Sequence, residues 1–95
     1  MNLRDIHDDQ KEVSAKVISK LSGCTATAIR IGENSLLKEH ITKTPALLVC
    51  VEGEVEYQDE KGVKIKLQSG DYHDIEPMVK HWLLGVSTCQ LLLVR

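Results

Sequence analysis

The sequence predicts an all-β chain folded as one barrel or jelly roll of short strands, on three observations. Residues 54 to 67 alternate in hydropathy with a period of two, as half-buried strands do. Two short continuous apolar runs, "ALLVCV" and "QLLLVR", suit strands covered on both faces. Every segment after residue 21 is a strand-sized piece bounded by turn residues, and β-rich chains of this kind close into barrels or jelly rolls.

Taken in order, the first twelve residues form a polar leader in which His7 is expected to be solvated. Residues 9 to 21 fit two readings. Asp9 and Glu12 could make a helical capping box, with Val13, Val17 and Leu21 on one stripe. Val13, Ala15, Val17 and Leu21 also fit alternation. The β-branched residues and the following "SG" turn favour a strand narrowly. "TATAIRI" reads as a strand closed by the turn residues "NS". "ALLVCV" follows, and then a hairpin with "QDEKG" as a five-residue loop. Pairing Val55 with Ile65 in that hairpin sets Glu56 opposite Lys64 and Glu54 opposite Lys66 on the wet face. Asp71, after a turn glycine, suits bonding to nearby amides, and Glu76 suits the rim.

Ninety-five residues allow one domain, residues 1–95, with modest burial, so a barrel or a dimer would help hide apolar surface. Twelve basic against 14 acidic residues, a net charge of -2, argue against a nucleic-acid surface. Only Tyr57, Tyr72 and Trp82 are aromatic, too few for a base-stacking platform. The amino terminus is too polar for a signal peptide and no run is long enough to span a membrane, so a cytoplasmic protein without a membrane partner is expected. Cys24, Cys50 and Cys89 are few, odd in number and in apolar surroundings; they read as buried thiols of a reducing compartment.

The order of His40, an apolar strand, "EGEVEY", a hairpin, "LQSGD", a turn and His81 resembles a small single-domain cupin, over roughly residues 30–95. Cupins carry two motifs, G-x5-H-x-H-x3-E-x6-G and G-x5-P-x-G-x2-H-x3-N, whose three histidines and glutamate hold a metal in the barrel of metal-bearing members. Here Asn34 stands at the first glycine, His40 at the first histidine and Gly53 at the closing glycine, whereas Thr42 and Ala46 replace the second histidine and the glutamate. In the second motif Gly70 and His81 match. Glu76, Met78 and Gly85 stand at the proline, second glycine and asparagine, with Pro77 one place late.

The resemblance implies a jelly-roll barrel with His40 facing His81 across its inside. It also implies a divalent transition metal (zinc, iron, manganese or nickel), which the lost donors weaken, because threonine is a poor ligand and a carboxylate charge is missing. His73 shares strand parity with the apolar Ile75; it could complete a His40, His73, His81 ligand set, or be a hydrogen-bonded strand histidine. Trp82, of opposite parity to His81, belongs outside the barrel or at a subunit contact. Three functions remain open. The first is binding of a small molecule in a cavity lined by His40, Thr42 and His81, with or without metal. The second is a metal-dependent dioxygenase, isomerase or decarboxylase, and the third a non-catalytic interaction module. A homodimer is expected in each case.

Overall fold

A computed structural model describes residues 1–95. Nine strands follow a single 3-10 turn at Leu3–Asp5: β1 (Val13–Leu21), β2 (Cys24–Ile31), β3 (Leu36–His40), β4 (Ala46–Glu52), β5 (Glu54–Asp59), β6 (Lys64–Gln68), β7 (Tyr72–Ile75), β8 (His81–Gly85) and β9 (Cys89–Val94). They form a five-stranded sheet, order β1-β2-β9-β4-β7, and a four-stranded sheet, order β3-β8-β5-β6. Every pairing is antiparallel. The two inner faces supply one core that includes Ile31, Leu48, Val55, Tyr57, Leu83 and Leu91. The expected all-β jelly roll is the architecture found.

The ambiguous first segment is a strand, but not the half-buried one that alternation describes. β1 is an edge strand whose register shifts between Val17 and Ser19. Val13 packs on the core, whereas Val17, Ile18 and Leu21, at and beyond the register shift of this edge strand, are exposed. The leader also differs from expectation. It lies against the outer face of the larger sheet, where Met1 and Leu3 line surface hollows shared with Ile18 on one side and Val51 on the other. His7 is buried there rather than solvated, with Nδ1 2.8 Å from the Ser14 hydroxyl. Burial, with Lys16 and Arg30 nearby, lowers its pKa.

The hairpin is present with its register displaced by two residues: Val55 pairs with Leu67, Tyr57 with Ile65 and Glu56 with Lys66. The cause is a shorter loop. Gln58 and Asp59 stay in β5, and the Asp59 carboxylate accepts from the amides of Lys61 and Val63, turning the chain at once. A shift of two preserves the faces, so the apolar side is still inward. Lys64 reaches Glu56 diagonally, at 3.8 Å. Val63 falls outside the strand and is exposed.

Backbone geometry explains the motif positions one at a time. Asn34 and Met78 both have left-handed φ values, 63° and 64°. Asparagine tolerates that region; methionine holds it at a cost. At Gly53 φ is 84°, and a Cβ there would sit 2.9 Å from the Cys89 Cα, so the position admits no side chain. Gly85 faces the Gly32 backbone and would place a Cβ 3.0 Å from the Ile31 Cγ2. All three cysteines are free. Cys50 and Cys89 are buried, and burial raises both thiol pKa values, that of Cys89 to about 11. Cys24 is only half-buried, because it opens β2 at the rim.

Candidate functional site

β1 is an edge of one sheet and β3 an edge of the other, and they do not pair. The roll therefore opens between them into a groove of about 490 Å³. Its walls are apolar, with Val13, Ala15 and Ile29 on one side and Leu36 and Leu37 on the other. His40 and Thr42 also line it.

His40 is the last residue of β3, and its register partner on β8 is His81. The two imidazoles are therefore neighbours on one wall, with ring centroids 4.1 Å apart and planes tilted by 59°, rather than facing each other across the barrel. Each Nδ1 lies 3.1 Å from a backbone carbonyl two residues earlier, Lys38 for His40 and Val79 for His81. A carbonyl only accepts, so each Nδ1 carries a proton, and in the neutral form of either ring the lone pair is at Nε2. The loops that frame the pair are tied together, since the Met78 amide donates to the Thr42 carbonyl at 2.8 Å.

Thr42 lies beyond the end of β3. It is 1% exposed, and its hydroxyl has no hydrogen-bond partner. A buried hydroxyl left unpaired costs about 1–3 kcal/mol, so its bonding capacity is left unspent at the groove.

Two residues of the cluster are illegible in the motifs. Tyr57 stacks with His81 at a centroid distance of 5.8 Å and meets His73 at 4.4 Å. His73 does share the inward face with Ile75, as parity suggests, but it packs on the Tyr57 ring. The Tyr57 hydroxyl donates to Asp59 Oδ2 at 2.9 Å. Asp59 is the register partner of His81 and places a carboxylate beside the histidines that the lost glutamate position does not supply. Continued alternation through Tyr57 and Asp59 is the signal that could have found it; reading "QDEKG" as loop hid it.

Electrostatics follow from this packing. Burial would raise the Asp59 pKa, but the Tyr57 hydroxyl, the Val63 and Lys61 amides and the proximity of His73 outweigh it and hold the carboxyl below its ordinary value. Burial and the same carboxylate push the Tyr57 phenol far above its usual range, so the hydroxyl keeps the proton that it donates to Asp59. The His81 pKa is lowered, first by burial and then by His40 and His73; the Val79 carbonyl and Asp59 oppose this without reversing it.

Does the donor set suit a metal? His40 and His81 have the tautomer that metal-bound imidazoles adopt. A third donor is lacking: Thr42 and Ala46 occupy the other motif positions, and Asp59 is engaged in three hydrogen bonds. No group of three or more His, Cys, Asp or Glu side chains is arranged to hold an ion. The residues present are a two-imidazole pair, short of a self-sufficient metal centre.

Two antiparallel sheets rolled around one core, with neighbouring histidines from β3 and β8, define a jelly roll. The particular form is the cupin fold, which solved structures bear out. The chain superposes on a cupin superfamily protein from Desulfitobacterium hafniense with a TM-score of 0.84, at 14% identity over 97% of this chain and 84% of that one. An RmlC-like cupin from Desulfovibrio desulfuricans gives the same TM-score, at 15% identity over 98% and 90% of the two chains. KdgF from a Halomonas species gives 0.76, at 16% identity over 93% and 83%. No sequence-family model matches the chain, and no curated protein matches it.

Proposed function

We propose that this cupin-fold chain is a small-molecule-binding protein whose ligand enters the groove between β1 and β3 and is held by Thr42, His40 and His81. The observation that carries this reading is the buried, unpartnered Thr42 hydroxyl at an apolar groove that also presents His40. His40 and Thr42 line the groove while His81 is packed against His40, and Nδ1 donation leaves Nε2 as an acceptor, so the set suits a ligand with both donor and acceptor groups. A metal bridging the two imidazoles would need further ligands from the small molecule or water.

Purification under native conditions without an affinity tag, followed by elemental analysis and mass spectrometry of molecules released on unfolding, tests this. A co-purifying small molecule, retained by the parent and lost in Thr42→Val and His40→Ala, is the expected result. Retention in both variants would place the molecule elsewhere and refute the reading. Stoichiometric metal lost in both His40→Ala and His81→Ala would favour metal-dependent chemistry instead.

Self-association rests on a different observation. Leu47, Val49, Leu92, Val94 and Tyr72 form an apolar stripe in register on the outer face of the larger sheet, and Tyr72 is 69% exposed. A second copy covering this stripe would bury what the leader leaves bare. Light scattering should give a dimer that Val49→Lys dissociates; a parent that is monomeric at micromolar concentration would refute it.

A further inference from the structure

The groove does not end at Thr42. At its rim it meets a wider cleft of about 710 Å³ lined by Lys20, Lys43 and Arg95 together with Cys24, Thr25 and Thr44. Arg95 lines both spaces, and Ile41 in the cleft is the chain neighbour of Thr42 in the groove. The two spaces differ in chemistry. The inner one is walled by apolar side chains, with Lys38 as a further cation at its edge. The outer one brings three cationic residues and three hydroxyl or thiol residues together beside the apolar Leu21 and Ile41. No aspartate or glutamate lines either space. In a chain with more acidic than basic residues, that segregation is local rather than compositional.

Resting on the binding role assigned to the groove, we propose that its ligand is an amphipathic carboxylate: a mainly apolar body between β1 and β3 that carries one polar group for Thr42 and His40, and an anionic head in the Lys20, Lys43, Arg95 cleft. Apolar walls reward removal of a hydrocarbon surface from water. A concave surface lined by cations of one sign focuses potential and raises the local concentration of anions. Neither half suffices alone. A bare anion gains little from exposed ammonium groups, and a neutral hydrocarbon leaves the cations unanswered.

The test uses the full chain labelled with nitrogen-15 and three probes: octanoate, octanol and acetate. Octanoate should shift the amides of Thr27, Ile29, Thr42 and Leu93 in the groove and of Lys20 and Lys43 in the cleft. It should bind about tenfold more tightly than octanol, equivalent to about 1.4 kcal/mol. Lys20→Gln with Lys43→Gln should remove most of that advantage and leave octanol binding unchanged. Added salt should weaken octanoate alone. Octanol binding as tightly as octanoate would overturn the assigned carboxylate while leaving the groove as the binding site. Acetate matching octanoate would overturn the apolar half. No shift of the groove amides with octanoate or octanol would overturn the proposal and the groove reading together.

Discussion

Replacing Thr42 with valine should make this protein more stable, because the side chain it replaces is shaped for the site but not satisfied there. Thr42 is 1% exposed and its hydroxyl has no partner. Folding therefore strips water from that hydroxyl without replacing the lost hydrogen bond, at a cost of about 1–3 kcal/mol. Valine has the same branched shape, so no cavity opens and no neighbour must move. The expected gain is about 1–2 kcal/mol, and in a domain of this size each kcal/mol raises Tm by about 4–8 °C. Thr42→Ser is the counterpart: it keeps the hydroxyl, deletes a buried methyl and should lose about 1 kcal/mol. Urea unfolding followed by Trp82 fluorescence reads both changes as shifts in midpoint at constant slope. A Thr42→Val variant less stable than the parent would mean that the hydroxyl is already bonded, and the argument that it awaits a ligand would fall with it. Coupled with loss of a co-purifying molecule, the stabilisation would identify Thr42 as a residue retained for binding at the expense of folding.

Three further outcomes follow from the geometry. Met78→Gly should stabilise by about 0.5–1 kcal/mol, since relief of the left-handed backbone at φ 64° outweighs the added freedom of the unfolded chain; Met78→Ala, which keeps the strain, should not. Gly53→Ala should destabilise by about 3 kcal/mol, combining left-handed strain with overpacking against Cys89, measurable as a lower urea midpoint. His7 and His81 have folded pKa values below the unfolded 6.5, so their neutral forms favour folding above that pH. This contribution is lost as pH falls through the lowered values. The urea midpoint should therefore drop between pH 7.5 and 5.5, less steeply in His81→Gln; a flat parent profile would contradict the burial of these rings. Asp59, depressed below the ordinary carboxyl range, adds a separate loss only under more acidic conditions.

The strands were legible because their signals are local. Alternation from Val55 to Leu67 and the runs "ALLVCV" and "QLLLVR" depend only on which residues are apolar and how they are spaced. The same holds for the turn at Asn34, a residue that accepts left-handed backbone, and for Asp71, whose carboxylate accepts from the Gln68 amide. Less legible was the hairpin register, because two pairings two residues apart put the same side chains inward and differ only in loop length.

By itself, then, the sequence determined an all-β roll and the presence of His40, Thr42 and His81 at positions where cupins carry ligands. Only the tertiary structure decided that His40 and His81 are register neighbours on one wall, that His73 rests on Tyr57, and that Asp59 supplies a carboxylate from a strand outside the motifs. It also decided that Val17 and Leu21 stay exposed while His7 is buried. The physical reason is that periodicity tells which side of its own strand a residue occupies. What stands opposite that side depends on strand order and sheet overlap, which are settled by contacts between segments far apart in the chain.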